Sequence, residues 1–196
     1  MERRVWVEKI VPLFIFLALW LDGWFLPLIL LPVLYVLFIE KKSLGWLGFS
    51  KRALRFSIAA GALVASVVVG LYYPIFLYYL TVIVERGTVG LYDFFWDVVW
   101  YPLYEEFSYR AFLLAHFADF NRIASLRNII INLFQSLLFI SIHKHHFGLP
   151  LILIPVFMLG LLNGFLFLKT KNIYGCIVSH SIVNALALLL RYLQAG

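Results

Sequence analysis

Tyr-Glu-Glu-Phe-Ser-Tyr-Arg, Tyr104 to Arg110, sets two carboxylates side by side with a guanidinium four residues after the second. On a helix, residues four apart share a face, so Glu106 and Arg110 can pair. Glu105 sits about 100° round the same helix and is left to face a cavity. A poorly solvated carboxylate there can serve as a general base. Phe-Ile-Ser-Ile-His, Phe139 to His143, ends a stripe of Asn132, Gln135, Ser136 and Phe139 at steps of three and four. That stripe should face other protein, because lipid offers such groups no partner. His145 and His146, just beyond it, read as loop residues. His-Ser-Ile-Val-Asn, His180 to Asn184, puts an imidazole and a carboxamide on one helical face, both able to donate hydrogen bonds to an oxyanion. Each group alone has a structural explanation: acid near a helix start, a packed histidine, helix-to-helix hydrogen bonding. Together they supply a base, an imidazole and two donors, the parts needed to attack an amide with water. Glu105, His143, His180 and Asn184 are therefore expected to meet in one polar cavity.

Other hydrolytic chemistries find less support. The chain has no Gly-x-Ser-x-Gly, no His-Glu-x-x-His and no pair of Gly-Asp motifs. Cys176 precedes His180 by four residues and could form a thiolate pair. It reads better as a small packing residue, as does Asn163. Two options remain: water activated by glutamate and histidine, or a metal held by Glu105, His143 and His180. Three such ligands suit zinc and leave a position open for water.

These groups lie in a chain of 196 residues that is 64% hydrophobic and 13% charged. An ordinary soluble domain is about half apolar and a quarter charged. The balance excludes a soluble enzyme, a disordered tail and a coiled coil. It predicts one integral membrane domain over residues 1–196, an all-α polytopic transmembrane helix bundle of about seven spans (six to eight). One cysteine permits no internal disulfide. The net charge of +6 comes from residues flanking apolar runs, which points to lipid headgroups and not to nucleic acid.

Basic residues on both sides of Ile10 to Ile39 predict that this run is a hairpin broken at Asp22-Gly23, with Pro27 in the first turn of the second arm. Phe56 to Val84 is the third span, ended by Glu85-Arg86-Gly87. Leu91 to Trp100, aromatic and carrying Asp93 and Asp97, suits the interface. Pro102 then starts the fourth helix, which runs to about Ala118 and holds Glu105 near its external end. The remaining spans are Asn128 to His143, Leu149 to Leu168, and Ile173 to Leu190. Lys41, Lys42, Lys51, Arg52, Arg55, Arg122, Arg127, Lys169 and Lys171 fall in loops read as cytoplasmic. Gly160 and Gly164 form a small-x-x-x-small step for close helix packing.

In this order the three motifs resemble the CPBP family of intramembrane proteases, which includes the CAAX prenyl endopeptidases and the bacterial Abi proteins. The family pattern E-E-x-x-x-R, F-x-x-x-H and H-x-x-x-N is met by Glu105-Glu106 with Arg110, Phe139 with His143, and His180 with Asn184. Leu47 to Arg52, Leu-Gly-Phe-Ser-Lys-Arg, is similar to the family's segment before a membrane helix. The resemblance covers about Leu44 to Leu190, with the motif-bearing core at about 91–190. It implies a CAAX-protease-like bundle and a glutamate-dependent endopeptidase with no obligatory cofactor. Glu105 would be the base, polarising water with His143; His180 and Asn184 would form the oxyanion site; Glu106, Arg110 and Phe139 would support them. The implied substrate is a membrane-anchored or lipidated protein, and the implied location a prokaryotic cell membrane crossed several times. The residues also leave open a non-catalytic membrane partner, such as an immunity or scaffold protein, and a small proton-coupled transporter.

Overall fold

A computed structural model describes residues 2–21, 29–82, 90–143 and 150–195, with side chains over 10–21, 29–78, 90–143 and 150–193. Among them are seven helices and no strand. We number them α1 (Glu2–Leu21), α2 (Leu30–Ile39), α3 (Leu54–Val82), α4 (residues 91–117), α5 (Leu126–Ile142), α6 (Pro150–Thr170) and α7 (Tyr174–Ala195). The class is the expected all-helical bundle. Three helices are long and apolar enough to cross a membrane, at Leu54–Tyr78, Pro150–Thr170 and Tyr174–Leu193. Shorter apolar helices occupy Ile10–Leu21, Leu30–Ile39 and Leu126–Ile142. The breaks expected at Asp22-Gly23 and at Glu85-Arg86-Gly87, and the residues Pro27, His145 and His146, lie outside the described residues. The first arm is longer than its apolar run, since α1 begins at Glu2. Glu, Arg and Lys are good helix formers and carry the helix back beyond Ile10.

The fourth helix departs from expectation. Pro102 does not start it: one rod runs from Leu91 to Phe117, with π-helical stretches at Phe95–Trp100 and Phe107–Leu114. In the first stretch the Tyr101 N–H bonds to the Trp96 carbonyl, five residues back. In that register the Asp97 carbonyl would meet position 102, where proline has no N–H. Asn184 of α7 fills the vacancy, its Nδ2 donating to the Asp97 carbonyl at 2.7 Å. The widened turn and a neighbour's amide let the helix pass through the proline. Glu105 is consequently mid-rod, about 20 Å from either end at 1.5 Å per residue. The external-end placement expected for it is corrected.

Every residue from Tyr104 to His116 is buried. A helix covered on all sides must be the centre of its bundle, and α1, α5, α6 and α7 pack round α4. Its core partners include Phe16, Leu19, Phe139, Phe167 and Leu168. The first turns of α4 differ, with Tyr92 74% exposed and Phe94 and Phe95 49% exposed, in keeping with an interfacial aromatic belt.

Small residues set the helix separations. A Cβ on Gly61 of α3 would land on the Gly175 backbone of α7, and the Gly175 N–H donates to Ser57 Oγ at 3.1 Å. Gly164 of α6 faces Asn132 and Gln135 of α5 in the same manner. At one end of the bundle, Asn172 Nδ2 donates to the carbonyls of Ser50 (2.8 Å) and Arg52 (2.9 Å). The Ile173 N–H reaches the carbonyl of Gly48, whose φ of 90° is glycine's territory. Glu40 also sits there, 3.2 Å from both Lys42 and His116. Burial by itself raises the Glu40 carboxyl, but His116 and then Lys42 outweigh it and hold it below its ordinary 4.5.

Two outcomes follow from these contacts. Gly61→Val should lower the melting temperature in detergent by several degrees, since backbone cannot yield to the new methyl groups and overpacking costs about 1–3 kcal/mol. Glu40 is a depressed carboxylate, so its stabilisation is complete above pH 4.5 and fades as acid protonates it in the fold. Glu40→Gln should therefore flatten the fall in melting temperature below that pH.

Candidate functional site

The buried centre of α4 contains charge that an apolar bundle must neutralise. Glu106 and Arg110 are both fully buried. They form an ion pair across one helical turn, with Arg110 Nε 3.2 Å from Glu106 Oε2. Arg110 also donates through Nη2 to the Gly160 carbonyl at 3.1 Å and lies over the Phe139 ring at 4.6 Å. Gly160 permits this, because a Cβ there would meet Phe139 and Arg110 at 3.3 and 3.5 Å.

The other oxygen of Glu106 serves two more helices. His180 Nδ1 of α7 is 3.0 Å from Glu106 Oε1, and Asn163 Nδ2 of α6 donates to the same oxygen at 3.2 Å. A carboxylate paired with arginine only accepts, so Nδ1 carries the hydrogen. This turns His180 Nε2 toward Glu105, 3.8 Å from its Oε2. That oxygen is buried and takes no hydrogen bond among the described residues. The two adjacent glutamates are thus unlike: Glu106 meets Arg110, His180 and Asn163, whereas Glu105 Oε2 has His180 at 3.8 Å and takes no hydrogen bond among the described residues.

Glu105 lies on the wall of a 260 Å³ cavity with Trp20, Tyr101, Tyr104, Ser108 and Ser141. Trp20 Nε1 donates to Ser141 Oγ at 3.1 Å, tying α1 to α5 at this cavity. His143, His180 and Asn184 line a second cavity, of 130 Å³, with Phe139. The four residues expected in one cavity are therefore divided between two, joined by the approach of His180 to Glu105. Glu105 and His180 are buried, and His143 and Asn184 are half-buried. His143 ends α5, with Nδ1 2.8 Å from the Phe139 carbonyl. A carbonyl only accepts, so Nδ1 donates and Nε2 is the acceptor nitrogen of the ring. Phe139 stands between the histidines, its ring centre 4.9 Å from His143 and 5.7 Å from His180. The polar stripe of α5 faces inward as expected, with Asn132, Gln135, Ser136 and Phe139 fully buried.

Asn163 was read from sequence as packing and is corrected. It is fully buried and bonds Glu106 and the Cys176 carbonyl, both at 3.2 Å. Its signal was present: a carboxamide in mid-helix among apolar neighbours demands a partner. Cys176 directs Sγ at the Asn163 carbonyl, 3.3 Å away, and so does not form a pair with His180. Among the described residues no group of three His, Cys, Asp or Glu side chains is arranged to hold a metal ion.

Chemically, the arrangement offers a carboxylate with a buried oxygen that takes no hydrogen bond among the described residues, two histidines whose Nδ1–H is fixed, and an amide. A family model described as Type II CAAX prenyl endopeptidase Rce1-like matches residues 87–186, a stretch containing all of these groups. No curated protein and no solved structure matches the chain.

Removing one member of a buried pair strands the other at about 3–5 kcal/mol. Arg110→Met should accordingly destabilise the protein by that amount in detergent unfolding. Arg110→Met with Glu106→Gln should recover part of the loss, because no uncompensated charge remains.

Proposed function

Because the chain belongs to the Type II CAAX prenyl endopeptidase Rce1-like family, we propose that it is a membrane-embedded endopeptidase working by glutamate-activated water. Its substrate is a protein held to the bilayer by a lipid or a membrane anchor. The observation that carries the reading is Glu105, a cavity-lining residue whose buried Oε2 lies 3.8 Å from His180 Nε2.

Glu105 accepts one proton of a water that His143 helps to polarise. The water oxygen attacks the peptide carbonyl, and the abstracted proton passes to the leaving amine as the C–N bond breaks. Charge developing on the carbonyl oxygen is met by His180 Nε2–H and by the Asn184 amide. One amide hydrogen of Asn184 is engaged by the Asp97 carbonyl, which holds the group in place and leaves the second for the oxyanion. Glu106 and Arg110 orient His180 and balance its charge. General-base catalysis is worth about 10²–10⁴ in rate and each oxyanion donor about 10²–10³. These factors act as a unit and do not multiply freely.

The mid-rod position of Glu105 supports a substrate whose scissile bond is drawn into the bundle beside its anchor. Glu105→Ala should abolish cleavage of a quenched, farnesylated CAAX reporter peptide in proteoliposomes while the protein still folds. Proteomics of membranes carrying parent or Glu105→Ala should find a fragment made only by the parent. A chelator titration should leave the parent rate unchanged. Equal cleavage by parent and Glu105→Ala would sink the reading.

A further inference from the structure

Asn163 belongs to none of the three motifs, yet it joins three helices at the acid pair. Its Nδ2 donates to Glu106 of α4 and to the Cys176 carbonyl of α7, and its own carbonyl receives the Cys176 thiol. Cys176 lies one turn before His180, so the same residue pins the backbone that carries the imidazole and the carboxylate that orients it. Glu106 Oε1 accepts from Asn163 and His180 together; Oε2 faces Arg110. Without Asn163 that oxygen keeps only His180, and the carboxylate can rotate about its last bond.

We infer that Asn163 is a positioning residue for the reaction, acting through Glu106 to hold the His180 ring with Nδ1–H engaged and Nε2 presented to Glu105. This rests on the proposed function, since it concerns how His180 meets the substrate oxyanion. For Nε2 to donate there while Nδ1–H stays on Glu106, the ring must carry both hydrogens. It is then a cation between two glutamates, and a fixed Glu106 is its counter-ion. Small errors of placement at such a site cost on the order of 10²-fold in rate.

The test is a double-mutant cycle on the full-length protein in proteoliposomes, using the farnesylated CAAX reporter. Asn163→Leu should lower kcat roughly 10- to 100-fold with KM within about threefold. Asn163→Asp, which removes both amide hydrogens at nearly unchanged volume, should show the same split if the leucine variant does not fold. In the Glu106→Gln background either substitution should cause little further loss, because the route from Asn163 to His180 is already broken. Parent-like kcat in both Asn163 variants, or losses that multiply in the double variant, would overturn the inference while leaving Glu105 as the base. A parent no more active than Glu105→Ala would remove the proposed function and this inference together.

Discussion

A carboxylate and a guanidinium lie fully buried at the middle of the bundle, and the surrounding architecture answers their cost. Taking such ions out of water costs several kcal/mol each, and their attraction offsets this only where hydrogen bonds satisfy the rest. The remaining bonds come from two helices: His180 of α7, and Asn163 and the Gly160 carbonyl of α6. Gly160 admits the guanidinium, Phe139 supplies a ring beneath it, and Gly164 lets α5 and α6 close round the Asn132–Gln135 bonds. The pair thus dictates which faces of α5, α6 and α7 can turn inward.

A proline provides the second constraint. Pro102 would ordinarily end a helix, but the widened turn before it and the amide from α7 carry the rod through. The same bond fixes Asn184, four residues after His180, against the N-terminal half of α4. His180 bonds α4 through Glu106, and Asn184, one turn further along α7, bonds it through Asp97. Two attachments on one face of α7 fix both the rotation and the height of that helix against α4. The defect in the α4 ladder therefore becomes part of the device that orients the site.

Much of this was legible in the chain and some was not. Residues four apart on a helix share a face, so the Glu106–Arg110 pair and the inward stripe of α5 could be read directly. Composition alone required a bundle of apolar helices. The start of α4 was misread because the rule for proline assumes an α-helical ladder, and whether a π turn relieves it depends on a residue 82 positions later, Asn184. Asn163 was misread because its neighbours suggest packing, while its partners lie on α4 and α7 and have no fixed spacing from it. The division of the four residues between two cavities was equally hidden. It depends on where Phe139 stands between His143 and His180, which no spacing within one helix reveals.

The contrast between the adjacent glutamates has a physical logic. Successive residues on a helix point about 100° apart, so Glu105 does not share the full set of partners that meets Glu106. Glu105 lies instead on a cavity wall, with its buried Oε2 taking no hydrogen bond among the described residues. A bundle selected for stability alone would place an apolar residue there, since replacing buried polar groups by well-packed apolar ones is often neutral or stabilising. Unsatisfied buried groups in a folded protein call for an explanation of this kind. In the proposed reaction, the attacking water supplies the missing hydrogen-bond donor.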